Sequence, residues 1–120
     1  GVKLLAVGFY ATWCEPCKAE IPFLKKLEDK YHEKKIAFIS ISIDSEKDHN
    51  IWKEMVAEKE LSGIQLFSDK DWNSEFIKNY LVNSIPRFIL IDPEGKIISA
   101  DAPRPSQEKI ISILLNQLDI

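Results

Sequence analysis

The chain has 120 residues, 45% of them hydrophobic and 29% charged, with a formal net charge of −3. This suffices for one domain with its own core, and the charge leaves no basic footprint for nucleic acid or an anionic membrane surface. No apolar run approaches the ~18–20 residues needed to span a bilayer, and two cysteines are too few for a disulfide scaffold.

The chain starts at Gly1 without Met or a signal-like run, so a mature product or a single domain, 1–120, cut from a longer chain is expected. Leu4–Tyr10 is apolar on both faces, as a central strand is. From Pro16 the pattern turns helical, with Cys17, Ile21, Leu24, Leu27 and Tyr31 on one stripe and Lys25, Lys26, Glu28 and Lys30 largely off it. Pro22 lies inside this helix and should kink it. Ile36–Ile43 reads as a second central strand, in which Ser40 and Ser42 would let a helix approach closely.

Asp44–Asn50 is polar, with Ser45 and Asp48 as candidate N-caps. The following helix is expected to turn Ile51, Met55 and Ala57 inward and to run to about Leu61, ended by Gly63. Its Lys53, Glu54, Glu58, Lys59 and Glu60 read as a solvated face. Gln65–Phe67 is a short strand or an extended link. Asp71–Tyr80 reads as a short helix with Phe76, Ile77 and Tyr80 inward, and Trp52 and Trp72 as core or half-buried residues. Arg87–Ile91 is a strand, Asp92–Gly95 a turn, and Lys96–Ala100 the returning hairpin partner. Ser106 is the expected cap of a last helix that buries Ile110, Ile111, Leu114, Leu115 and Leu118. The order β-α-β-α-(β)-α-β-β-α makes an α/β fold, a central mixed sheet flanked by helices on both faces.

The two cysteines, Cys14 and Cys17, sit at the junction of the first strand and first helix. Two thiols at this spacing can alternate between dithiol and disulfide. A helix N-terminus offers unpaired N–H groups and a positive field, which favour a thiolate, and the thiolate is the nucleophile. Cys14, at the very start and expected to be the more exposed, is the candidate attacking group. Cys17, one turn on, is the candidate resolving thiol. Pro16 fits the first helical turn. Three duller readings compete. Zinc needs four ligands, yet no second cysteine pair exists and His32 and His49 lie in unrelated segments. A structural disulfide closing so short a loop removes little chain entropy. Two inert core cysteines are the third.

The run Phe9–Pro22, holding Trp13-Cys14-Glu15-Pro16-Cys17-Lys18, and the run Ile85–Lys96 at its distance resemble the thioredoxin superfamily, most closely its TlpA/ResA-like branch of thiol–disulfide oxidoreductases. The run Ala102–Ser106 also resembles bacterial multidomain members of that branch. The resemblance implies a thioredoxin fold and a thiol–disulfide oxidoreductase that reduces protein disulfides. An oxidase or isomerase of the same fold and a non-catalytic partner-binding domain are the alternatives. A peroxiredoxin-like role is weaker, for the chain lacks the Thr-x-x-Cys context. It further implies that the Ile85–Pro86 bond is cis and faces the cysteines, that the Ile85 backbone pairs with an extended substrate, and that Glu20 acts near the thiols as a proton carrier. From the residues alone Glu20 reads more readily as a surface position, and the resemblance brings the two readings level. Trp13 is either a flat apolar platform for a partner or simply packed. Glu15 and Pro16, between the cysteines, join Trp13 and Ile85 as candidate substrate-facing residues, and the Glu15 charge should oppose a second anion nearby. Gly8 stands where many thioredoxins have a buried Asp, which shifts proton transfer towards Glu20 or water. No metal or cofactor is expected. The expected partners are protein disulfides and an upstream thiol electron donor, with the domain itself a monomer free of nucleic acid and membrane contact. The location implied is periplasmic or otherwise extracytoplasmic, with any membrane anchor outside this chain.

Overall fold

The computed structural model describes residues 2–31, 35–68 and 84–120. Five strands, β1 (Leu4–Tyr10), β2 (Ile36–Ser42), β3 (Ile64–Phe67), β4 (Arg87–Ile91) and β5 (Ile97–Ser99), form one sheet in the order β3-β2-β1-β4-β5. The pairs β1/β2 and β2/β3 are parallel, while β1/β4 and β4/β5 are antiparallel. The sheet is therefore mixed, as expected. Among the described residues the helices are α1 (Glu15–Tyr31), α2 (His49–Glu58) and α3 (Glu108–Gln117), with a 3-10 turn at Glu46–Asp48. The expected helix Asp71–Tyr80, with Trp72, Phe76, Ile77 and Tyr80, lies outside the described residues, as does His32.

Strand alternation sorts the core into two sides. Leu4 of β1 joins Ile36 and Leu90 in one cluster, into which α1 sends Tyr31 and Leu27 and α3 sends Ile111 and Leu115. Val7 and Phe9 join Ile41, Ile89 and Ile91 in a second cluster, which also holds Cys14 and Cys17. Burying one such large apolar side chain stabilises the fold by roughly 1.5–3 kcal/mol, so α1 and α3 are held to the sheet chiefly by these stripes.

Several expectations fail for identifiable reasons. Helix α2 ends at Glu58, and Glu60 takes a positive φ of 50°, so the chain turns before Leu61. Gly63 instead leads into β3 at φ 73°, where a Cβ would stand 2.9 Å from both Glu28 Oε2 and Phe38 O. Met55 is buried, but Ile51 and Ala57 face solvent; the helix turns only a narrow stripe inward. Ile110 is likewise exposed, outside the stripe that buries Ile111 and Leu115. Glu28 is buried rather than off the apolar face, and accepts a hydrogen bond from Ser62 Oγ at 2.8 Å. Burial raises its carboxyl above the usual range, with the Ser62 bond opposing. Neither Ser45 nor Asp48 makes a side-chain cap. The first residue before α3 is Gln107, not Ser106, and Ser106 spends its hydrogen bonds elsewhere. Ser40 does line the space facing Leu24 of α1, whereas the Ser42 hydroxyl is used in a polar network.

Candidate active site

The site forms where β1 hands over to α1. Residues Ala11–Cys14 make a turn closed by the Cys14 N–H donating to Ala11 O at 3.1 Å. Helix α1 then starts at Glu15, with Pro16 second, where its missing donor costs little. The Cys17 N–H donates to Cys14 Sγ at 3.2 Å and the Lys18 N–H to Cys14 O at 3.1 Å. Cys14 thus occupies the capping position of α1, with its sulfur taking one of the otherwise orphaned N–H groups. Cys14 and Cys17 are joined as a disulfide.

Exposure does not separate the two sulfurs' residues. Cys14 is 5% exposed and Cys17 4%, so the expected exposure of Cys14 is corrected: the turn folds its side chain into the cluster of Phe9, Ile41 and Ile43. What distinguishes Cys14 is its place ahead of the first helical turn. The exposed group is its neighbour Trp13, at 55%. Glu15 is exposed and paired with Lys18 Nζ at 3.1 Å, and Pro16 is exposed beside it.

The second run arrives from β4. The Ile85–Pro86 peptide is cis, Ile85 packs against the cluster that holds both cysteines, and buried Pro86 lines a cavity of about 40 Å³ together with Cys17, Glu20 and Gly8. The fold therefore brings together Cys14, Cys17, Ile85 and Pro86, which lie far apart in the chain. Glu20 is not a surface residue, being 9% exposed. Its carboxylate accepts the Ser106 N–H on Oε1 at 2.9 Å and the Ser106 hydroxyl on Oε2 at 2.7 Å. This ties the active-site helix to the connector before α3. At Gly8 the Phe88 ring fills the space that a side chain would need.

One residue escaped the sequence reading. Asp44, just past the end of β2, is 0% exposed and lies directly against the turn that carries Cys14. It accepts the Thr12 N–H on both oxygens at 3.0 and 3.1 Å, the Thr12 hydroxyl at 2.6 Å and the Ser42 hydroxyl at 2.5 Å. The one available signal was an acidic residue at the carboxyl end of a central strand, where sites in α/β sheets form. Among the described residues no group of three or more His, Cys, Asp or Glu is placed to hold a metal ion.

This sheet order, a cysteine pair opening the first helix and a cis-proline packed beside it define a thioredoxin-like domain. The chain belongs to the thioredoxin-like family, whose model matches residues 1–97. It is 34% identical over 108 residues to the thiol-disulfide oxidoreductase ResA of Bacillus thuringiensis subsp. konkukian, covering 90% of this chain and 60% of that protein. The chain thus spans about 60% of the length of such curated relatives. Among solved structures it is similar to a protein assigned as a thiol-disulfide oxidoreductase from Bacteroides vulgatus, with TM-score 0.76, 46% identity, and coverage of 93% of this chain and 74% of that one. A thiol-disulfide oxidoreductase from Bacteroides fragilis gives TM-score 0.77 at 28% identity, covering 92% and 81%.

Proposed function

We propose that this chain is the redox domain of a thiol–disulfide oxidoreductase that reduces protein disulfides. The observation that carries the proposal is the Cys14–Cys17 disulfide at the start of α1 with the Ile85–Pro86 peptide packed against the same cluster. In the reduced domain the Cys14 thiolate attacks one sulfur of a substrate disulfide. A Cys14–substrate disulfide forms, the substrate S–S bond breaks, and the departing sulfur takes a proton. Cys17, as thiolate, then attacks Cys14 Sγ and releases the second substrate thiol, which regenerates the Cys14–Cys17 disulfide. Two electrons pass to the substrate, and an upstream thiol donor restores the dithiol.

The other residues take roles consistent with their places. The Ile85 backbone, ahead of Pro86, pairs with an extended substrate segment, and Trp13 offers it an exposed aromatic surface. Glu15 and Pro16 border the approach to Cys14. Glu20, beside Cys17 in the same cavity, handles the proton that Cys17 must lose. The setting is extracytoplasmic, by likeness to the ResA-type relatives. No helix among the described residues is long and apolar enough to cross a membrane.

The test is reduction of insulin by dithiothreitol with catalytic amounts of the domain. Wild type accelerates precipitation, Cys14→Ser abolishes the acceleration, and Cys17→Ser accumulates a mixed disulfide through Cys14. A Cys14→Ser protein that works as well as wild type overturns the proposal. The potential of the pair sets the direction: a value near about −270 mV fits a reductant, one near about −120 mV an oxidant.

A further inference from the structure

Asp44 is an unusual residue to find fully buried. Among the described residues its carboxylate meets no cation, only the Thr12 N–H and the hydroxyls of Thr12 and Ser42. Its own N–H donates to Ser42 Oγ at 3.0 Å, so the network closes on itself. A carboxyl group so deeply buried must have its oxygens satisfied, and the partners that satisfy it here call for a reason beyond the packing of β2.

The reason lies in what it grips. Thr12 is the second residue of the Ala11–Cys14 turn, and both its N–H and its hydroxyl end on Asp44. Next to it, the Ile43 N–H donates to Tyr10 O at 2.8 Å and fastens the ends of β1 and β2 together. The turn therefore cannot pivot on β1 alone. Its far end is Cys14, whose sulfur must stand within bonding reach of Cys17 and in front of the Ile85–Pro86 peptide. Errors of about 1 Å in such a geometry can cost on the order of a hundredfold in rate.

We propose that Asp44, through Thr12, is a positioning residue that holds the Ala11–Cys14 turn and so keeps the Cys14 sulfur in register with Cys17. The inference rests on the proposed dithiol chemistry and deepens it. Asp44 touches neither substrate nor sulfur in this account; it acts through the turn.

The test compares three variants in the full 120-residue chain, each checked for folding by circular dichroism. The readout is the equilibrium constant for closing the Cys14–Cys17 disulfide against glutathione. Asp44→Ala loses the grip, and the constant falls at least tenfold, a 29.6 mV change for a two-electron couple. Asp44→Asn keeps one oxygen for Thr12 and turns its amide to donate to Ser42 Oγ, so the constant stays within threefold of wild type. That contrast separates positioning from charge, because neither variant has a side chain that can ionise. A folded Asp44→Ala protein whose constant stays within threefold of wild type overturns the proposal, as does an Asp44→Asn protein that falls as far as Asp44→Ala. Should Asp44→Ala not fold, Thr12→Val decides: losing only the hydroxyl, it lowers the constant at least threefold, and a smaller change refutes the role. The constant is read without turnover. A wild type that fails to reduce insulin therefore defeats the proposed activity and still leaves Asp44 to be judged.

Discussion

Replacing Gly8 by Ala sets two effects of opposite sign against each other. Glycine in a strand interior costs roughly 0.5–1 kcal/mol relative to alanine, so on backbone grounds the change stabilises. The new Cβ would stand 2.8 Å from Phe88 Cε1 and 3.2 Å from Cδ1. Phe88 lies opposite Gly8 in the β1/β4 ladder and packs against the core cluster of Leu4, Tyr31 and Leu90, so its ring is not a loose end that swings aside. Overpacking of this kind costs about 1–3 kcal/mol. The steric effect wins, and Gly8→Ala is expected to lose about 1 kcal/mol in urea unfolding followed by tryptophan fluorescence. Pairing it with Phe88→Leu removes the ring edge, and the double variant should be more stable than the sum of the singles by at least about 0.5 kcal/mol. A Gly8→Ala protein as stable as the parent, or additive behaviour in the cycle, refutes the reasoning. Gly8→Asp would collide with the same ring and is expected to destabilise more than Gly8→Ala.

Three further outcomes follow from the same structure. Burial pushes the Tyr10 phenol up to about 12, the Trp52 hydrogen bond opposing and the Asp44 charge assisting. A group raised in the folded state lends stability that is whole below its unfolded value near 10 and is lost as pH climbs through 12. The advantage of wild type over Tyr10→Phe should therefore shrink by about 2–3 kcal/mol between pH 9 and pH 12 in urea titrations, and a constant gap would refute the burial account. Ser106→Ala leaves Glu20 Oε2 without its hydroxyl donor; bonds to charged groups are worth about 1.5–3 kcal/mol, so a lower thermal midpoint is expected, and an unchanged one would mean that water replaces the hydroxyl freely. Glu15→Gln should raise the rate at which iodoacetamide alkylates reduced Cys14 at pH 7. The carboxylate is exposed and already paired with Lys18, so the gain should stay under about threefold and fade in salt; a slower rate counts against the idea.

Much of the site could be read from residues in local runs. The apolar run of β1, the cysteine spacing, the proline in the first helical turn and the Asp92–Gly95 turn, where Gly95 takes φ 87°, all appear where expected. Each is encoded within one element or one turn, where periodicity and turn chemistry act over a few residues. The cis peptide at Pro86 came from family likeness rather than from local chemistry, since trans is far commoner at proline.

What lay beyond a linear reading has one physical cause: it depends on which elements meet. Glu20 finds its partner 86 residues away at Ser106, taking from α3 the cap that a linear reading assigned to it. Asp44 reaches 32 residues back to Thr12, and a polar stretch after a strand carries no mark of being fully buried. Cys14 is covered because the turn folds inward over β1 and β2, and Phe88 fills the space at Gly8 because of the β1/β4 register. Short-range preferences set the elements and place the thiols on a helix end. Register and packing between distant segments decide which carboxylates are buried, what they hold, and how the turn before α1 is fastened.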